Sequence, residues 1–337
     1  MARFNHIISA IDSHTEGQAT RVVLSGFPAI PGQTMAERFV KIKKSPAHNR
    51  LREALMREPR GHRGMFGAIV TSPCHPEADL GVIYASGDEF YAMCIHGSMG
   101  TAAVMLETGL VKAKEPETEI VFDTAVGLVR ARVTVEGGRA RAVRIENTPA
   151  FLYLSDVAID VPEVGRVTVD IAFGGLFFAL VSGEQLGVKV ESNNIDTLVR
   201  VSLLVFEAVN KAVEVQHPVE KHMRGIDAVE VTGPPSQGAA HARNIVVIPG
   251  GLFDRSPCGT GTCARMAALY AKGKLKLGEV FVNESVIGSL FYGSVLRETF
   301  IGELPAVVPA VSGSAFITGI QQFVIDPDDR LGYGFSV

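Results

Sequence analysis

The sequence predicts an α/β (α+β) protein of two similar domains, each a strand-rich, barrel-like sheet around one helix that starts at a cysteine. Three observations predict it. The chain has 337 residues, about twice the usual single-domain size. It carries an internal repeat centred on Cys94 and Cys258, and strand-type patterning covers most of the remainder.

The repeat is the strongest of the three. Cys94-Ile-His-Gly-Ser-Met-Gly-Thr-Ala-Ala can be laid on Cys258-Gly-Thr-Gly-Thr-Cys-Ala-Arg-Met-Ala, with Gly at +3, Ala at +9 and Gly at +15 in both. Small and apolar residues with good helix propensity lie between the cysteine and the closing glycine, Gly109 or Gly273, which sits where a left-handed C-cap is expected. Two further echoes keep the same order. Asp12-Ser-His-Thr-Glu-Gly17 is matched by Asp170-Ile-Ala-Phe-Gly-Gly175, and Ala68-Ile-Val-Thr71 by Val229-Glu-Val-Thr232. The two cysteines stand 164 residues apart, close to half the chain. The expected first domain is 1–151, with a C-terminal return of about 314–337, and the second is 152–313.

The other elements follow from local pattern. Ile120-Val-Phe, Leu128 to Val135, Ala142 to Ile145, Val167 to Ile171, Asn244 to Ile248 and Val324-Ile alternate or run apolar between Gly, Pro and Asp breaks, which reads as strand. From Asn194 to about Val215, Ile195, Leu198, Val201, Val205, Ala208 and Ala212 follow helical spacing, with Asn194 as N-cap and Pro218 as stop. Arg38 to Arg63 carries nine Lys/Arg against two Glu, and Asn49 to Met56 within it reads as an amphipathic helix. A solvated helix face is the expectation there.

Composition excludes several classes of function. Hydrophobic residues make up 47%, charged residues 20%, and mean hydropathy is +0.22, which is globular and far from disorder. A net charge of -4 offers no footprint for nucleic acid or an anionic membrane. The first residues lack the apolar core of a signal peptide, and no apolar run approaches a transmembrane span, so a cytoplasmic location is expected. The four cysteines, Cys74, Cys94, Cys258 and Cys263, are then expected to be reduced thiols, and none forms a zinc pattern. Gly259-Thr-Gly-Thr lacks the Lys-Ser/Thr ending of a phosphate-binding loop.

A cysteine in the first turn of a helix meets the positive end of the helix dipole, so its thiolate is expected to be favoured. Around Cys258, Asp254-Arg-Ser-Pro-Cys-Gly-Thr-Gly-Thr adds small residues that let a ligand reach backbone amides, a site for a small carboxylate. Two such cysteines on opposite sides of one molecule suit a two-base reaction. One thiolate removes a proton while the other thiol delivers one, and the stereocentre inverts. Cys74 and Cys263 read as small core residues. His96, two residues after Cys94, reads equally as a structural or a functional residue beside that thiol.

These residues, together with Glu58-Pro-Arg-Gly and Gly288-Ser-Leu-Phe, resemble the proline racemase family, which includes hydroxyproline 2-epimerases and trans-3-hydroxyproline dehydratases. The resemblance covers nearly the whole chain. It implies a fold like diaminopimelate epimerase, with two pseudo-symmetric domains and the active site in the interdomain cleft, no cofactor or metal, a small-molecule substrate and a homodimer. It implies that Cys94 and Cys258 are the catalytic thiols. Ile95, His96, Gly259 and Thr260 match the helix-start positions that bind substrate, and Asp254 matches the acid near the ring nitrogen.

Three positions depart from the family pattern. Ile95 replaces the usual Gly and is expected to reshape the pocket. Gln18-Ala19 replaces Glu-Pro. Ala228 falls where hydroxyproline epimerases often carry His and proline racemases a bulky apolar residue. Retention of both thiols favours inversion over dehydration, and the context around Gly233-Pro-Pro and Glu284 to Phe291 is nearer to proline racemases. Proline is therefore favoured slightly over 4-hydroxyproline. The alternatives are a trans-3-hydroxy-L-proline dehydratase, a silent small-carboxylate binding protein and, more weakly, a redox thiol protein.

Overall fold

The computed structural model describes residues 4–335 and divides into two compact units, 1–145 with 314–337, and 146–313. Residues 146–151, expected in the first domain, belong to the second. The reason is local: Ala150 bridges Val307 and Phe151 opens a strand of that unit.

The first unit contains β1 (His6–Thr15), β2 (Gln18–Ser25), α1 (Met35–Lys44), α2 (Pro46–Met56), β3 (Phe66–Thr71), β4 (Leu80–Ser86), β5 (Phe90–Tyr91), α3 (Ile95–Glu107), β6 (Glu117–Thr124), β7 (Gly127–Glu136) and β8 (Arg139–Glu146). A C-terminal strand, Ala315–Ile325, pairs antiparallel with β1. From it the order runs antiparallel to β2, parallel to β3, antiparallel to β4, parallel to β6 and antiparallel to β7. The β2–β3 pair is parallel and so needs a crossover, which α1 and α2 supply. Thr34 and Ser45 cap these helices through their hydroxyls, and Pro46 opens α2.

The basic stretch is not the uniformly solvated face its charge suggested. Arg52 is 3% exposed, and its guanidinium donates to Ser86 O and Asn49 Oδ1. Arg38 donates to Ser72 O. The carbonyls at strand ends recruit these arginines, which charge counting alone does not foresee.

The second unit contains β9 (Phe151–Val161), β10 (Gly165–Phe173), β11 (Phe177–Ser182), α4 (Ile195–Ala212), β12 (Ala228–Gly233), β13 (Ala242–Ile248), β14 (Leu252–Phe253), α5 (Gly259–Ala271), β15 (Val280–Ser285), β16 (Leu290–Ile301) and β17 (Leu304–Gly313). Its order repeats that of the first unit: β9 antiparallel to β10, β10 to β11, then β12 parallel, β13 antiparallel, β15 parallel and β16 antiparallel. The place β9 takes beside β10 is taken in the first unit by the C-terminal strand beside β1. α4 provides the crossover between β11 and β12 and buries Leu198, Val201, Val205 and Val209. Asn194 precedes it but makes no side-chain cap; its amide donates to Lys189 O instead.

α3 is buried from Ile95 to Leu106, and α5 over most of its length. α3 packs against β1, β2, β3, β7 and the C-terminal strand, and α5 against β9, β10, β11, β16 and β17. Each cysteine-capped helix is thus the core of its own unit, with apolar residues all round rather than on one stripe. No helix among the described residues is long and apolar enough to cross a membrane.

Candidate active site

In the first unit Cys94 is the N-cap of α3. Its backbone is extended (φ -156°), and its Sγ accepts the Gly97 N–H at 3.4 Å. The His96 ring lies against the same sulfur, with Nδ1 at 3.3 Å and Nε2 at 3.5 Å. Thr15, at the end of β1 in the Asp12 motif, donates its hydroxyl to His96 O at 2.9 Å, and Phe66 meets the imidazole edge-on. The turn is therefore held from both sides. Under it, the Tyr84 hydroxyl is 2.5 Å from Ser98 Oγ, and Ser98 donates to Cys94 O at 2.9 Å. Burial holds Tyr84 firmly as the neutral phenol.

In the second unit Cys258 is the N-cap of α5, and its Sγ accepts the Gly261 N–H at 3.4 Å, with Thr260 Oγ1 at 3.6 Å. Its φ is 55°, a region a side chain enters only when its surroundings insist. Those surroundings are specific. Asp254 Oδ1 accepts Ser256 N and Oγ, each at 2.8 Å, and Ser256 Oγ accepts the Cys258 N–H at 3.2 Å. Pro257 O accepts Asn244 Nδ2 at 2.8 Å, Thr262 Oγ1 at 3.1 Å and Asn283 Nδ2 at 3.4 Å.

The structure brings Cys94, Ile95 and His96 together at one helix start, and Asp254, Cys258, Gly259 and Thr260 together at the other. The first N–H groups of each helix precede its first helical hydrogen bond and can be offered to an anion. The expected ease of thiolate formation fails at Cys258. Burial first, then Asp254 and Glu230, push its thiol well up, against the opposing Gly261 N–H and Thr260 hydroxyl. The dipole of one helix end is the smaller effect there.

Ile95 is 1% exposed and Ala228, the first residue of β12, is 0% exposed. Gln18 is buried and donates to Gly64 O at 2.8 Å. Cys263 is buried, whereas Cys74, read as core, is half-buried and donates its N–H to Asp123. Sequence reasoning missed Tyr84, Glu230, Asn244 and Asn283. The signal for the first two was the shared Gly at +3: a Cβ on Gly97 would stand 2.9 Å from Tyr84, and one on Gly261 2.8 Å from Glu230 Oε2. A glycine inside a helix start marks a close neighbour.

A family model described as proline racemase matches residues 10–336. The chain is 46% identical to the proline racemase of Acetoanaerobium sticklandii over 99% of this chain and 100% of that protein. It is 45% identical to a 4-hydroxyproline 2-epimerase of Streptosporangium roseum over 99% of each. Among solved structures, a hydroxyproline epimerase from Agrobacterium vitis with bound trans-4-hydroxy-L-proline matches with a TM-score of 0.96 and 32% identity, covering 100% of this chain and 96% of that one. With two duplicated cysteine-capped helices and similarity along almost its whole length, the chain belongs to the proline racemase family.

Proposed function

We propose that this family member, an amino-acid racemase or epimerase, inverts the α-carbon of proline, or of 4-hydroxyproline, by proton transfer at Cys94 and Cys258. The observation that carries this reading is the paired cap: each thiol sits at a helix start beside backbone amides suited to a carboxylate. One sulfur takes the α-proton as thiolate and the other, as thiol, gives a proton to the opposite face; the reverse reaction exchanges their roles. The amides offset the charge that develops on the carboxylate as the α-carbon loses its proton.

The groups around the sulfurs support a division of work in the forward direction. His96, within 3.3 Å of Cys94 Sγ, can take up the thiol proton and leave the thiolate as base. Cys258 holds its proton and serves as the acid. Ile95, His96, Gly259 and Thr260 are the proposed carboxylate contacts and Asp254 the proposed contact for the ring nitrogen. Proline is the favoured substrate, because Ala228 offers no imidazole to a ring hydroxyl.

Proton NMR in D2O with L-proline, trans-4-hydroxy-L-proline and trans-3-hydroxy-L-proline tests the reading. Loss of the α-signal with inversion is expected with proline first. An imine product from the 3-hydroxy compound would make the enzyme a dehydratase. Ligand-dependent thermal stabilisation with no exchange would make it a binding protein.

A further inference from the structure

Glu230 is a buried carboxylate beside the α5 helix start that the reaction above does not use. It lies in the middle of β12, 0% exposed, between Val229 and Val231. Its Oε1 accepts Asn244 Nδ2 at 3.0 Å, and its Oε2 has no hydrogen-bond partner among the described residues. That oxygen lies 2.8 Å, and Cys258 Sγ 3.2 Å, from the point where a Cβ on Gly261 would stand, so the carboxyl and the thiol flank the same glycine. Asn244 also holds Pro257 O, the carbonyl just before Cys258. The carboxyl therefore acts on the cysteine both through space and through the asparagine.

We propose that Glu230 is a positioning residue for Cys258, a buried carboxyl whose ionisation governs how readily that thiol gives up its proton. The proposal rests on Cys258 being one of the two proton carriers. The groups facing Glu230 are Arg265, Cys258 and Cys263 from α5, Asn244 from β13 and Asn283 from β15; β11 sets Leu180 beside it. Burial outweighs Asn244, Arg265 and Asn283 and raises the carboxyl to about 7. Below that pH it is uncharged and leaves Cys258 alone; above it, a carboxylate opposes a second negative charge at the sulfur. In the first unit the Tyr84 ring, and not a carboxyl, stands beside the matching glycine, Gly97.

The test is site-resolved alkylation. Wild type and Glu230→Gln are treated with iodoacetamide across mildly acidic to alkaline pH, and modification of Cys94 and Cys258 is followed separately by peptide mass. In the variant, the Cys258 profile is expected to move to lower pH, with alkylation on the order of tenfold faster above neutrality, and the Cys94 profile to stay. An unmoved Cys258 profile in a variant with native circular dichroism would overturn the proposal. If the variant does not fold, the wild type decides: a coupled carboxyl makes the rise of Cys258 shallower than a single ionisation, and a simple one-proton curve would overturn the proposal. Neither readout depends on turnover. Absence of α-proton exchange would sink the racemase reading while leaving this one to its own result.

Discussion

Cys94 and Cys258 cap their helices in the same way, each sulfur accepting the N–H of the third residue on at 3.4 Å. What lies beneath them differs. Under Cys94 the gap beside Gly97 is closed by the Tyr84 ring, whose hydroxyl meets Ser98, and the cysteine backbone is extended. Under Cys258 the gap beside Gly261 is closed by the Glu230 carboxyl, and the cysteine has φ 55°, with Pro257 O pinned by two asparagine amides. The two halves share the cysteine cap and differ in the side chain packed beneath it. The proposed reaction needs one base and one acid at the same moment, and the two sulfurs stand over different neighbours.

The largest expected effect tests whether both halves are needed. Cys94→Ser and Cys258→Ser should each lower the rate of α-inversion on the order of 10³-fold, read by NMR; near wild-type turnover in either variant would break the comparison at its root. Next come the two glycines. Gly97→Ala and Gly261→Ala should each destabilise by about 1–3 kcal/mol in thermal or denaturant unfolding, since each new Cβ overlaps a packed neighbour. Gly261→Ala should be the milder if Glu230 can turn away, and the Tyr84 ring gives Gly97→Ala no such relief.

The pH dependence of stability sharpens the difference in floors. Glu230 has its folded value raised to about 7 from an ordinary 4.5. Across that window the folded state keeps a proton that the unfolded chain has released, so stability falls as pH rises through it. Glu230→Gln should flatten that slope in urea unfolding measured at successive pH values, and an unchanged slope would refute the assignment. The smallest effect is expected on the other side. Tyr84→Phe should cost about 1 kcal/mol, because Ser98 still donates to Cys94 O, and it should leave the pH dependence of stability unchanged.

Much of the fold was legible in the chain. The repeat around Cys94 and Cys258 located both core helices, because a helix buried on all sides is written in small and apolar residues with a glycine at its end. The echo of Asp12 in Asp170 put equivalent residues on equivalent strands: Asp12 is held by Arg21, and Asp170 by Lys272. The capping of Asn194 was not legible, since its amide had a competing carbonyl at Lys189 that only the folded loop supplies. The burial of Arg52 was hidden for the same reason, its partner Ser86 O lying 34 residues away.

By itself the sequence determined the duplication and the cysteine at each helix start, both of which are local properties of spacing and side-chain type. Only the tertiary structure decided what stands under each thiol. Proton affinity depends on burial and on charges that long-range strand pairing delivers. In the linear chain Glu230 is one acidic residue between two valines; once β12 lies beside β13 and α5, it is a buried carboxyl at the foot of Cys258.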